Sequence, residues 1–305
     1  MEMQTENQTH PLTTWEKLQT IDRRILYLIL IIVVSVFIVY PVSLPNQPLP
    51  QSRKLFDLIN DAPDGSLVFI SSGWTMSSRG ETLPLYQALV RLCMRKNHRI
   101  AVISLTEPAA AGFALSSLVE VAREPHHPPY IEGKNWVSLG FMPAGDAYIQ
   151  SLTSNIRGAL DKAEVRGQPA TKSEMLKDVQ SLKEFIVVVD VSASASYLLW
   201  VERVHGIVPM GLMCTGVMFP EALPYQKSGQ LAGVAFGARG AYDFETMMAE
   251  DRKLSPTEDA SKMAYGLGRE YMTPLTAAMI LLTLAIIVGN VAMVMARKSA
   301  ETRGA

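Results

Sequence analysis

Two uncharged runs bracket this chain and decide most of what it can fold into. Residues 25–42, ILYLILIIVVSVFIVYPV, and residues 274–296, PLTAAMILLTLAIIVGNVAMVMA, contain no Asp, Glu, Lys or Arg. About 20 apolar residues are what a helix needs to cross the hydrocarbon core of a bilayer, so both runs are expected to be transmembrane helices. The first follows Arg23 and Arg24 as a signal peptide would. Its uninterrupted length, and the bulky YPVSLPNQP behind it with no small-residue cleavage pattern, mark it instead as an anchor that stays. Two spans put both ends of the chain on one side of the membrane and everything between them on the other. Arg23, Arg24, Arg297 and Lys298 abut the runs and favour cytoplasmic termini with an extracytoplasmic domain. Arg53, Lys54, Arg252, Lys253, Lys262 and Arg269 balance the wider count from the domain side, so only the immediate flanks tip the orientation.

The expected organisation is then a tail (1–24), a first span (25–42), a proline-rich linker (43–54), a domain (55–250), a helical connector (251–273), a second span (274–296) and a short tail (297–305). SLPNQPLPQ, in the linker, cannot be helical and reads as a stiff spacer. Within the domain, short apolar runs alternate with amphipathic stretches. SLVFISS (66–72), RIAVISL (99–105), NWVSLGF (135–141), FIVVVDV (185–191) and VPMGLMCTGVMF (208–219) read as strands. Residues 82–97, 109–124, 145–163, 173–183 and 195–206 read as helices, and one longer helix is expected after Pro224. Continuous apolar strands separated by helices are the pattern of a parallel sheet covered on both faces. The fold class is therefore α/β, a Rossmann-like, doubly wound and mainly parallel sheet of about five strands, flanked by the two membrane helices.

Composition removes several function classes. The net charge of −1 supplies no basic field, and no basic patch interleaves with aromatics, so nucleic acid is not an expected partner. Cys93 and Cys214 both lie in apolar patterns and form neither a disulfide framework nor a zinc cluster. His126 and His127 are neighbours in a proline-rich loop, and His10, His98 and His205 are isolated, which is a poor set for a metal. The chain holds no G-x-S-x-G, H-E-x-x-H or C-x-x-C, and no complete catalytic constellation.

In doubly wound folds ligands sit outside the carboxyl ends of the strands. Those ends carry Ser71, Ser72, Gly73 and Thr75, with Arg79 close behind; then Glu107; then Asp146; then Asp190, Ser192 and Ser194. Hydroxyls and small residues of this kind would hold a polar ligand against helix N-termini, although turns and N-caps use the same residue types for their own sake. A second feature is a series of small residues, Gly229, Gly233, Gly237 and Ala241, at four-residue spacing. On one helix this makes a smooth ridge that another helix, or a second subunit, can approach closely.

Two resemblances follow from these residues. The D-x-S-x-S spacing of Asp190, Ser192 and Ser194 resembles the opening of the metal-ion-dependent adhesion site of von Willebrand factor A-type domains, which implies Mg²⁺ held by hard oxygens. In that family the motif closes the first strand, whereas here three expected strands precede it, and the family's later Asp has no counterpart. SGQLAGVAFGARGAYDFE and GFMPAGDAYIQSL are similar to an uncharacterised family of prokaryotic membrane-anchored α/β proteins of unknown function, which implies no activity and no site residues.

The reading is of a membrane protein presenting a Rossmann-like domain as a non-catalytic binding or assembly module. Its expected partners are the lipid bilayer and either copies of itself or other membrane proteins, and no cofactor is expected. The alternative is an enzyme or a small-ligand or Mg²⁺ receptor using the strand-end crevice around Asp190.

Overall fold

The structure, a computed structural model, describes residues 14–125, 129–143, 146–165 and 167–304. It divides into two compact units: Leu44–Met272, and a second made of Met1–Ser43 with Thr273–Ala305. The strands of the main sheet are β1 (Leu67–Gly73), β2 (Arg99–Ser104), β3 (Trp136–Phe141), β4 (Phe185–Ser192), β5 (Met210–Cys214) and β6 (Gly233–Phe236). The helices are α1 (Thr14–Gln19), α2 (Arg23–Val39), α3 (Pro50–Asn60), α4 (Arg79–Arg95), α5 (Pro108–Ala122) and α6 (Asp146–Ser154). They continue with α7 (Ile156–Ala159), α8 (Tyr197–Val204), α9 (Phe219–Lys227), α10 (Gly237–Glu250), α11 (Glu258–Met263) and α12 (Leu267–Gly304).

All pairings in the six-stranded sheet are parallel, and its order is β3-β2-β1-β4-β5-β6. The chain runs outward from β1 in one direction, then returns to the other side of β1 and runs outward again. That is the Rossmann-like, doubly wound order, and it places a topological switch point between β1 and β4. Side chains alternate across each strand, so the sheet separates two cores. Val68 and Ile70 of β1 face a core closed by Leu55, Leu89, Leu118 and Phe244, from α3, α4, α5 and α10. Leu67 and Phe69 face the other, closed by Ile149, Trp200 and Ala222 from α6, α8 and α9.

The local chemistry explains the turns. The first crossover helix ends at Lys96, and Asn97 takes a left-handed conformation (φ 56°), which a short polar side chain tolerates, before β2 begins. The expected helix 145–163 breaks at Asn155, whose side chain accepts the Gly158 amide and starts a new turn. Residues 173–183 form turns rather than a helix, with a 3₁₀ turn at Leu182–Glu184.

Two larger expectations need correction. The sheet has a sixth strand, and the long helix expected after Pro224 forms only in its second half, as α10, with a turn and β6 in place of the first. Gly229 lies in a turn at φ 81°, Gly233 opens β6, Gly237 opens α10 at φ 53°, and only Ala241 lies inside a helix. The four residues therefore form no common ridge. The glycine spacing mimicked a helical face, while left-handed φ at Gly229 and Gly237 breaks the chain on either side of a short strand. Close approach does occur, but elsewhere: a Cβ on Gly233 would stand 2.5 Å from the Leu55 amide nitrogen, because α3 lies against β6 there.

The linker is also not a free spacer. The Tyr242 hydroxyl donates to the Leu44 carbonyl (2.7 Å) and Arg239 to the Gln47 carbonyl (2.7 Å). Asp243, fully buried, accepts from the Asn46 side chain (3.0 Å) and the Leu49 amide (3.1 Å). Further along the same helix, buried Glu245 accepts the amides of Gly268 and Arg269, both at 2.8 Å, and so caps the start of α12. Thus α10 holds both the segment that enters this unit and the one that leaves it.

Among the described residues one helix is long and apolar enough to cross a membrane, over Leu267–Ser299. The two expected spans are thus reduced to one by this measure. Helix α2 has 17 residues and ends at Val39, because Tyr40 precedes Pro41 and leaves helical geometry (φ −123°, ψ 72°). The Thr273 hydroxyl donates to the Val42 carbonyl at 2.8 Å.

Candidate functional site

The switch point brings together residues that are far apart in sequence. Register pairs Ser71 with Asp190 and Gly73 with Ser192 across β1 and β4. By alternation these side chains point to the α8 face, where Trp200 donates its indole N–H to the Ser71 hydroxyl (3.0 Å). Asp190 is 1% exposed, and its Oδ2 has no hydrogen-bond partner within the protein. Burial pushes its carboxyl up to about 6, with the hydroxyls of Ser71 and Ser192 pulling the other way. Cys214, opposite Ser192 on β5, is buried as well. Burial, then the charge of Asp190, pushes its thiol up to about 12, so it is an inert thiol rather than a nucleophile.

Above this buried cluster lies an open cleft of about 400 Å³ at the carboxyl end of the sheet. Its wall carries Gly73, Thr75, Ser77, Ser78, Glu81, Thr106, Glu107, Ala193, Ser194, Thr215 and Val217. Gly73 is needed where it stands: a Cβ there would meet the Thr106 hydroxyl at 2.9 Å and the Ser192 Cβ at 3.4 Å. The loop after β1 closes on itself, with the Thr75 amide donating to the Ser78 hydroxyl (3.1 Å) and the Thr75 and Ser77 hydroxyls 2.7 Å apart. Glu81, one turn into the first crossover helix, reaches across to accept the Gly216 amide (2.7 Å). Thr215 is 6% exposed, and its hydroxyl is buried without a partner.

Of the residues singled out from sequence, Gly73, Thr75, Glu107 and Ser194 line this cleft, and Ser71, Asp190 and Ser192 lie beneath it. Ser72 faces the opposite core and donates to the Ala110 carbonyl (3.4 Å), while its own carbonyl accepts Ser104 (2.7 Å). Arg79 is exposed and takes no part in the wall. Asp146 opens α6, and its side chain lies outside the described residues, as do His10, His126 and His127. Sequence reasoning passed over Glu81, whose only signal was an acid in the first turn of a helix after a strand-end glycine.

The D-x-S-x-S stretch forms the end of β4 and the turn that follows it. Ser192 donates to the Ser194 carbonyl (3.1 Å) and Ser194 to the Ser196 hydroxyl (3.1 Å), so the serines tie their own turn while Asp190 points into the core. Among the described residues no group of three or more His, Cys, Asp or Glu could hold a metal ion. His98, which is buried, bonds the Ile59 carbonyl through Nε2 (2.8 Å).

No protein-family model and no curated protein matches the chain.

Proposed function

We propose that this protein is a membrane-tethered, non-catalytic binding domain that takes a small polar ligand into the cleft at the β1–β4 switch point. The observation that carries the reading is the coincidence, at the one place where the strand order reverses, of an open cleft walled by hydroxyls with a buried carboxylate beneath it. Catalysis is not part of it. Cys214 is held as a thiol, and Asp190 is walled off from the cleft by its own strand and turn. An assembly role drew on the small-residue ridge. With Gly229, Gly233, Gly237 and Ala241 shared among a turn, a strand and a helix, that motive for self-association is gone.

The tether is α12, with α2 as a second pass. Seventeen residues at about 1.5 Å per residue reach about 26 Å, close to the hydrocarbon thickness of about 30 Å that a bilayer presents. Arg23, Arg24, Arg297 and Lys298 favour termini in the cytoplasm and the binding domain outside it.

The test is a thermal-shift screen of small polar compounds on the full-length protein in detergent. It should be paired with Ser194→Trp, which fills the cleft from an exposed loop position. A true ligand at about a hundred times its dissociation constant adds about 2.7 kcal/mol of stability to the wild type and little to the variant. Stabilisation retained in full by Ser194→Trp places the ligand elsewhere and ends the reading.

A further inference from the structure

We propose that residues 44–49 and 265–269, the segments by which the chain enters and leaves the unit Leu44–Met272, form one cooperative latch on α10 and dock or release together. Each segment has anchors of its own. Arg239 donates to the Gln47 carbonyl (2.7 Å), and Asp243 accepts the Asn46 side chain (3.0 Å) and the Leu49 amide (3.1 Å). Glu245 holds the other segment through the Gly268 and Arg269 amides, both at 2.8 Å. That segment lies directly on the helix backbone: a Cβ on Gly268 would stand 2.6 Å from the Tyr242 nitrogen and 2.8 Å from the Ala241 carbonyl carbon.

Between these anchors two residues of α10, one turn apart, serve both segments. Tyr242 donates its hydroxyl to the Leu44 carbonyl (2.7 Å), while its ring packs on that of Tyr265 with centroids 5.9 Å apart. Thr246, which is buried, commits its own proton to the Tyr242 carbonyl (2.8 Å) and accepts from the Asn46 side chain (3.2 Å). Its other lone pair meets the Tyr265 hydroxyl, so one oxygen is filled by a donor from each segment. When residues 265–269 lift, Thr246 loses a donor and the Tyr242 ring loses its neighbour, which frees the hydroxyl that holds Leu44. When residues 44–49 lift, the same two side chains lose their other partners, and their hold on Tyr265 weakens. Residues in one hydrogen-bond network are non-additive, and a coupling between two docking events is equal in both directions. The latch therefore converts displacement of either segment into displacement of both, and it operates whether or not the cleft takes a ligand.

The test is hydrogen exchange of the full-length protein in lipid nanodiscs, read by mass spectrometry at 44–49 and 265–269, with β4 as the reference. Asn46→Ala alters only the entering segment, yet it is expected to speed exchange at Gly268 and Arg269 by about threefold to tenfold. Tyr265→Phe keeps the ring, deletes the hydroxyl, and should speed the Leu49 amide by a similar factor, with β4 unchanged in both variants. In a Thr246→Val background, which lacks the shared oxygen, Tyr265→Phe should no longer reach Leu49. An Asn46→Ala protein that speeds 44–49 alone, or a Tyr265→Phe protein that leaves Leu49 untouched, overturns the latch. An effect of Tyr265→Phe that persists in full on Thr246→Val does the same. So does exchange in β4 that speeds by the same factor, because the segments would then open only when the whole unit unfolds.

Discussion

Asp190→Asn is expected to make this protein more stable, and only at neutral and alkaline pH. The carboxyl is 1% exposed, and burial raises it from the ordinary 3.8 to about 6. A folded-state value above the unfolded one means that the folded protein binds the proton more tightly. The group's contribution is then most favourable below 3.8 and is lost as pH rises through about 6. Each pKa unit between the two states is worth about 1.4 kcal/mol, so charged Asp190 costs the fold about 3 kcal/mol at pH 8. Asparagine keeps the size and cannot ionise, so the cost of a buried charge is removed. Chemical denaturation of the full-length wild type and variant in detergent, from pH 4 to pH 8, isolates the effect, because the other titrating groups cancel in the difference. The variant should gain up to about 3 kcal/mol at pH 8, with the gain shrinking toward zero near pH 4. A variant no more stable than wild type at pH 8, or a difference that does not change with pH, would refute the account of Asp190 as an under-satisfied buried charge.

Glu245→Ala strips the caps from the Gly268 and Arg269 amides and removes a buried charge facing Arg91, so a loss of about 3–5 kcal/mol in the same denaturation assay is expected. Gly233→Ala sets a methyl 2.5 Å from the Leu55 nitrogen and 2.9 Å from its Cα, backbone that cannot rotate away, and should lower stability by about 1–3 kcal/mol or more. A chain trimmed to residues 55–250 loses the donors of Asn46, Leu49, Gly268 and Arg269, leaving Asp243 and Glu245 short of partners, and should not melt cooperatively by circular dichroism; one spanning 44–272 keeps them all.

Much of the sheet was legible because its strands advertise themselves. Runs such as VVVDV and RIAVIS are long, β-branched and closed by Ser, Gly or Asp, and they can only be buried strands of a parallel sheet. β6 was hidden by the opposite circumstance. Its four residues, GVAF, sit among glycines and alanines whose regular spacing imitates a helix, and only the backbone angles at Gly229 and Gly237 separate the two. The linker and connector were misjudged for a different reason. Asp243 and Glu245 look like surface charges on an amphipathic helix, and what buries Asp243 is a segment nearly two hundred residues away, Asn46 to Asp243. No local pattern carries that pairing. Asp190 and its neighbours were placed correctly at a strand end, since alternation and topology fix that position, but which side chains line the open cleft and which lie under it depends on the turn that follows. Glu81 escaped because an acid in a first helical turn has an ordinary dipole explanation.

Among the described residues three carboxylates are fully buried, Asp190, Asp243 and Glu245, and their surroundings treat them differently. Asp243 receives a backbone amide, an Asn amide and the Arg239 guanidinium. Glu245 receives two backbone amides and faces Arg91. Each has the donors that make a buried negative charge tolerable, and each fastens chain that leads to or from the apolar runs, so stability alone accounts for both. Asp190 has the Ser71 and Ser192 hydroxyls beside it, no ion-pair partner among the described residues and an orphan oxygen, against the apolar core on the α8 face. Fold stability gives no reason for an acid there. Its position does: Asp190 pairs with Ser71 and stands two residues before Ser192, whose partner Gly73 forms the floor of the cleft. Whatever alters the spacing of β1 and β4 at Gly73 must also alter how well Asp190 is satisfied. A cleft ligand that alters this spacing should therefore change the pH profile of Asp190→Asn measured with and without it, and an unchanged profile would refute the link.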